Sequence, residues 1–382
     1  MTKPKRLPHE AFGTVNPPVH HASTVLYDSY EAFLDADRAP YHGKLYGTFG
    51  SPVQLALEKE LATIEGGYRS LVCHSGFDAI GVVLMAFTKA SDHILVSDNV
   101  YGPTRDFCSR VLRKYGVDVD YFSPGSPDAA EALVKPSTKL IYLESPGTGT
   151  FEVSDVPRFV AIARKHGLIS VLDNTWATPL YFKSFEYGID VSIHSGSKYI
   201  AGHSDVLLGT MTANEERFPE LLSFYEATER FAAPDSCYQA LKGLQTLPVR
   251  LARHEASAGA MASFLEEHPA VSDVLYPALE SHPEHDLWKR DFLGASGVFG
   301  FTLKSEPSRE QLSTFIDPMR SFALGLSWGG FQSLVSVIPK GSPAGRVHPH
   351  RYRDKTIVRL SIGLENVDEL EEDVADALAR LE

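Results

Sequence analysis

Leu168-Ile169-Ser170-Val171-Leu172-Asp173-Asn174-Thr175-Trp176, followed by Asp190-Val191-Ser192-Ile193-His194-Ser195-Gly196-Ser197-Lys198-Tyr199, is the stretch whose reading decides the fold. Each half opens with a short, dense apolar run, the pattern of a strand buried on both faces. The first run delivers a carboxylate, Asp173; the second delivers Lys198 among two hydroxyls and a glycine. Singly, an Asp at a strand end caps the next helix, and a lysine lies on the surface. Together, one strand apart, they can hold a cationic heterocycle that carries a phosphate. The carboxylate would pair with a ring nitrogen, and a partly desolvated amine would be open to Schiff-base chemistry.

Runs of the same kind precede this stretch. Residues 70–73 lead to a helical pattern at about 76–87, and 93–96 to one around 104–115. Residues 117–122 lead to a short helix near 129–133, and 139–143 to one around 156–166. Strands alternating with helices predict an α/β layer with a mostly parallel sheet. Ligands of such sheets sit at the carboxyl ends of the strands. Ser75-Gly76, Asp98-Asn99-Val100-Tyr101, Glu144-Ser145-Pro146, Asp173 and the Ser195 to Lys198 run all fall there.

The flanks read differently. Residues 1–60 are irregular, with Pro17-Pro18, His20-His21 and several glycines, so they are expected to wrap a neighbouring body. A helical pattern at 52–65 is stopped by Gly66-Gly67. After about residue 212 comes a long helical segment, 235–267, expected to bend or break near Pro248. Shorter strands at 297–303, 334–338 and 357–362 and a terminal helix at 367–381 suggest a smaller α+β domain. The expected division is an N-terminal arm over 1–55, a large domain over 56–245 and a C-terminal domain over 246–382.

The 382 residues are 43% apolar and 22% charged, an ordinary globular composition with material for a large core. A net charge of −13 argues against a nucleic-acid partner. No apolar run is long enough to span a membrane, and no apolar segment follows the basic Met1-Thr2-Lys3-Pro4-Lys5-Arg6. Cys73, Cys108 and Cys237 lack metal spacing and cannot all pair, so a reduced, cytoplasmic setting with cysteines as small core residues is expected.

Other residues join the candidate site. Ser75-Gly76-Phe77-Asp78 opens a helix straight after a strand, where free amides favour an anion and Gly76 permits close approach. A plain Ser75 cap explains the same residues. Tyr101 ends another strand and could stack on a heterocycle, or lie in the core. Arg359 interrupts the apolar strand Ile357-Val358-Arg359-Leu360-Ser361-Ile362; pointing inward, it would need an anion, best a carboxylate. Ser195-x-x-Lys198 and Ser97-Asp98-Asn99 match two penicillin-binding motifs, but in reverse order and without the third. No dinucleotide fingerprint or P-loop is present. His282-x-x-His285 and His348-Pro349-His350 lie in Pro-rich segments without a carboxylate cluster, so solvated histidines, not metal ligands, are expected.

Taken together, these segments resemble the Cys/Met-metabolism family of pyridoxal-phosphate enzymes from about residue 13 to 381. Within it the likeness is to the bacterial cystathionine β-lyase branch. It is carried by Val15-Asn16-Pro17-Pro18-Val19, Val100-Tyr101-Gly102-Pro103-Thr104-Arg105, Leu143-Glu144-Ser145-Pro146-Gly147 and Asp173-Asn174-Thr175-Trp176-Ala177. Ser197-Lys198-Tyr199, Gly202-His203-Ser204-Asp205 and Ser327-Trp328-Gly329-Gly330 complete it.

The resemblance implies the aspartate-aminotransferase-like (fold type I) α/β fold, with pyridoxal 5'-phosphate bound covalently as an aldimine at Lys198. It implies Asp173 on the pyridine nitrogen, Tyr101 stacked on the ring, and phosphate held by the Gly76 and Phe77 backbone and the Ser195 and Ser197 hydroxyls. Arg359 and Ser327, with Trp328, would hold the substrate. A homotetramer of site-sharing dimers is implied, with Tyr46 reaching the neighbour's cofactor and joining Lys198 and Tyr101 as catalytic groups. Two positions depart from the family. Thr48 replaces a phosphate-binding arginine, with Lys44 a candidate substitute cation. Leu326 stands where β-acting members carry tyrosine and γ-acting members glutamate. The expected activity is β-elimination of L-cystathionine; the alternatives are a γ-acting or broad carbon–sulfur lyase, and a non-catalytic relative.

Overall fold

The computed structural model describes residues 14–37, 45–341 and 346–381. Seven strands, β1 (Arg69–Cys73), β2 (His93–Ser97), β3 (Asp118–Phe122), β4 (Thr138–Glu144), β5 (Ile169–Asp173), β6 (Val191–Ser195) and β7 (Gly209–Ala213), form one sheet. Its order is β1-β7-β6-β5-β4-β2-β3. Strands β6, β5, β4, β2 and β3 run parallel, whereas β7 is antiparallel to both β1 and β6. All five residues of β5 are buried. Ile169 and Val171 enter one apolar layer and Leu172 the other, which is what an unbroken apolar run encodes.

Helices cover both faces. In chain order they are α1 (Tyr30–Asp37), α2 (Pro52–Glu65), α3 (Gly76–Ala86), α4 (Gly102–Phe107), α5 (Pro127–Ala132), α6 (Val156–His166), α7 (Thr178–Tyr181), α8 (Phe218–Ala227) and α9 (Pro234–Glu267). The α3 and α8 residues Ile80, Val83, Phe218 and Leu221 pack on the β5 face that carries Val171. The α6 residues Phe159, Val160 and Ala163 pack on the face that carries Leu172. Local signals set these ends: α2 has Ser51 accepting from the Gln54 amide, Pro52 at its start and Gly66 at φ 74° after its end. The helix α9 continues for 34 residues through Pro248 without a break. No helix among the described residues is long and apolar enough to cross a membrane.

A second sheet holds β8 (Val271–Leu275), β9 (Val298–Leu303), β10 (Ala323–Leu324), β11 (Leu334–Ile338) and β12 (Ile357–Ser361), in the order β10-β11-β12-β9-β8. Helices α10 (His285–Asp291), α11 (Arg309–Ile316) and α12 (Val367–Ala379) accompany it. One apolar cluster joins the two sheets: Leu143, Leu172 and Trp176 lie in it with Phe299, Phe301, Val358 and Leu360. Trp176 also donates its indole N–H to the Val298 carbonyl at 2.9 Å.

Four expectations need correction. The arm is not wholly irregular, since α1 forms within it. The single helix expected at 104–115 is α4 followed by a wider π turn over Cys108–Leu112 and a tight 3-10 turn over Arg113–Tyr115, closed by Gly116 at φ 79°. Strand β8 was not anticipated because Ser272 and Asp273 break its apolar run; Lys355 and Arg351 neutralise that carboxylate in the fold. His282 is buried rather than solvated, and burial pushes its pKa down to about 4. The three cysteines are all buried and free, as core residues.

Trp176 is the clearest test of the packing between the sheets. Trp176→Ala should destabilise the fold by roughly 3–5 kcal/mol. Trp176→Phe, which leaves the Val298 carbonyl unpaired, should cost about 1–3 kcal/mol. Urea denaturation followed by circular dichroism measures both, and an unchanged midpoint for Trp176→Ala would remove the residue from the core.

Candidate active site

Adjacent parallel strands bring their terminal carboxylates together: Glu144 on β4 is in register with Asp173 on β5. Both are only 8% exposed. Asp173 Oδ1 accepts from the Thr175 amide at 3.1 Å and from the Thr175 hydroxyl. The same hydroxyl oxygen accepts from the Ser195 amide at 2.9 Å, tying the end of β5 to the end of β6. Burial raises the pKa of Asp173, and burial followed by the Asp173 charge raises that of Glu144. Among the described residues no cation bonds either carboxylate; the nearby His194 is paired with Glu65. Two buried carboxyls without a bonded counter-charge make a place where a cation is stabilised.

Lys198 leaves β6 through a tight turn, its amide donating to the Ser195 carbonyl at 3.0 Å. Its Nζ donates to Ser327 Oγ at 2.8 Å and lies 5.3 Å from the Trp328 ring centroid. Burial, and then the Arg359 charge, pull its pKa down to about 8. Arg359 is itself held by Nη2, which donates to the carbonyls of Leu326 at 2.7 Å and Ser327 at 3.3 Å. Its remaining N–H groups are left for an anion. Burial lowers the Arg359 pKa and Tyr101 opposes that shift. Glycines let the Ser327 loop press on the Lys198 turn. Gly329 sits at φ +81°, where a Cβ would lie 3.1 Å from the Tyr199 amide, and a Cβ on Gly330 would lie 2.1 Å from Ser204 Oγ.

A third group of residues forms an anion cradle. A Cβ on Gly76 would lie 2.6 Å from the Cβ of Ser195, so only glycine lets the start of α3 meet the end of β6. Ser75 Oγ accepts from the Asp78 amide at 3.1 Å, leaving the Gly76 and Phe77 amides of the first turn without an intrahelical acceptor. Arg230 contributes charge at this helix start, its Nη1 2.8 Å from Asp78.

The fold therefore gathers Lys198, Ser327, Trp328 and Arg359 on one side of the strand ends, with Asp173, Ser195 and Gly76 at the ends themselves. Tyr101 caps the start of α4 with a half-exposed ring, and Phe77 is similarly exposed. The Ser197 hydroxyl is engaged by Leu208, whose amide donates to it at 2.9 Å. Tyr46 lies in the arm, bridged to Thr24 and half-exposed. Thr48 Oγ1 is buried without a hydrogen-bond partner, and Lys44 lies outside the described residues. Glu144 and Thr175 join the site with position as their only signal in the sequence, at the end of one strand and two residues beyond another.

These groups fit a phosphorylated pyridine aldehyde: amides for the phosphate, a carboxylate without a cation for the ring nitrogen, and an amine of lowered basicity for the aldehyde. Comparison with known proteins agrees. Residues 2–379 match the family model described as Cys/Met metabolism PLP-dependent enzyme. The cystathionine beta-lyase MetC of Escherichia coli is 38% identical over 373 residues, covering 97% of this chain and 94% of that protein. The cystathionine beta-lyase of Haemophilus influenzae is 37% identical over 374 residues, covering 97% and 94%. The L-alanine/L-glutamate racemase of Wolbachia pipientis is 38% identical over 379 residues, covering 97% and 93%.

The basicity of Lys198 can be measured directly. Labelling of its amine by trinitrobenzenesulfonate, read by peptide mass spectrometry on cofactor-free protein, should rise with pH through a midpoint of about 8. Below that midpoint the amine is protonated and inert. Arg359→Met removes a repelling positive charge and should move the midpoint up. A wild-type midpoint in the ordinary lysine range would contradict the desolvated placement.

Proposed function

The chain belongs to the Cys/Met-metabolism family of PLP-dependent enzymes, and from that premise we propose that it is a cystathionine β-lyase. It would convert L-cystathionine and water to homocysteine, pyruvate and ammonia. The observation that carries this reading is the bond from Lys198 Nζ to Ser327 Oγ at 2.8 Å, beside the anchored Arg359. That arrangement sets a weakly basic amine next to a carboxylate-binding guanidinium.

Pyridoxal phosphate, once bound, supplies an electron sink for the bond broken at the substrate Cα. Each residue has a part around it. Asp173 would keep the ring nitrogen charged, and the Gly76 and Phe77 amides with the Ser195 and Ser197 hydroxyls would hold the phosphate. The Leu208 amide, bonded to the Ser197 hydroxyl, braces the lysine loop. Arg359 takes the substrate carboxylate through its free N–H groups, with Ser327 and Trp328 bounding the same end. Lys198 removes the Cα proton and returns a proton to the leaving sulfur, which suits an amine with a pKa of about 8. Tyr101, half-exposed at the start of α4, would be the residue to stack on the cofactor ring.

The exposed Tyr46 of one subunit would reach its neighbour's site in a dimer, and two such dimers would form the tetramer, acting in the cytoplasm. The arm over 1–55 would serve that contact, with the large domain over 56–245 holding the cofactor and the domain over 246–382 the substrate carboxylate.

A second reading is favoured by the Wolbachia relative, whose name is that of a racemase. Racemisation shares the removal of the Cα proton and differs in where that proton is returned. One assay separates the readings: the purified, cofactor-loaded protein is given L-cystathionine or L-alanine and the products are identified. Pyruvate with homocysteine from cystathionine is expected, and D-alanine would support the racemase. Release of 2-oxobutyrate from cystathionine would replace β- with γ-elimination.

A further inference from the structure

Glu144 belongs to the buried carboxyl pair but its bonds differ from those of Asp173. Asp173 uses Oδ1 for both Thr175 donors and has no bond from the described residues at Oδ2. Both Glu144 oxygens are engaged: Oε2 accepts from the Tyr101 amide at 2.7 Å, and Oε1 accepts from the Thr148 hydroxyl. Asp173 is thus free to face a ring nitrogen, and Glu144 is committed to the loops.

Those loops are fastened at further points. The Thr148 amide donates to the Asn99 carbonyl at 2.9 Å. A Cβ on Gly147 would lie 2.1 Å from Asn99 Nδ2, so the loop after β4 presses directly on the loop after β2. Tyr101 starts α4 without a side-chain cap bond, and the residue is 45% exposed. Where the ring points is therefore decided by its backbone, and Glu144 is the charged group bonded to that backbone.

We propose that Glu144 is a positioning residue that fixes Tyr101 over the cofactor ring by holding its amide. This rests on the reading of Tyr101 as the residue that lies against the ring. Glu144 acts through Tyr101. Its side chain is suited to the task because its two oxygens accept from the Tyr101 amide and the Thr148 hydroxyl at the same time. Its burial next to Asp173 keeps water from competing for the Tyr101 amide.

The test is a double-mutant cycle on cofactor affinity. Kd for pyridoxal phosphate is measured by fluorescence titration of full-length cofactor-free protein for wild type, Tyr101→Ala, Glu144→Ala and the double variant. Each single change should weaken binding roughly tenfold, and the double variant should be no weaker than the worse single one. Glu144→Gln keeps a carbonyl acceptor and should recover most of the affinity. Multiplicative losses in the double variant, or a Glu144→Gln as weak as Glu144→Ala, would overturn the inference while leaving the Tyr101 reading intact. Wild-type affinity in Tyr101→Ala would overturn both. Should Glu144→Ala fail to fold, Thr148→Val loosens the carboxylate from its other oxygen and enters the same cycle under the same criterion.

Discussion

A carboxylate buried at a strand end without a bonded cation costs on the order of several kcal/mol, and Asp173 is in that position. The fold keeps it there because parallel strands in register bring their carboxyl ends to one edge. Thr175 holds one oxygen of the carboxylate and the last amide of β6 at the same time. The pairing of β5 with β6 and the aim of the Asp173 side chain are therefore one constraint. A positively charged ring nitrogen relieves the cost, so binding energy is available where the chemistry needs a charge.

The other half of the site depends on the two sheets meeting. Lys198 comes from the large sheet, whereas Ser327 and Arg359 belong to the part of the chain that builds the small one. The Trp176 bond to Val298 and the shared apolar cluster fix their separation. Glycines at 329 and 330 allow the approach, since a side chain there would strike the Lys198 turn or Ser204. Low basicity in Lys198 follows from this contact: the loop desolvates the amine, and Arg359 adds its charge. The low basicity of Lys198 thus depends on how the two sheets pack.

Much of this was legible in the chain because apolar runs and caps are local signals. The runs ending at Asp173 and Ser195, the helix from Ser75 and the limits of α6 all read directly from sequence. What escaped was non-local. Strand β8 carries Asp273, tolerable only because Lys355 and Arg351 come to it from far along the chain. The antiparallel β7 is a run of small and hydroxyl residues whose burial comes from its neighbours. Glu144 was visible as a strand-end residue, but its role depends on Tyr101 and Thr148 arriving from two loops. The bond from the Leu208 amide to the Ser197 hydroxyl likewise joins positions that no local pattern links.

The central claim is that Asp173 holds a protonated ring nitrogen. The direct measurement is the 15N chemical shift of the ring nitrogen in protein loaded with 15N-labelled pyridoxal phosphate. The account predicts a protonated nitrogen in the wild type across neutral pH, and an unprotonated one in Asp173→Asn. An unprotonated nitrogen in the wild type at neutral pH would contradict it.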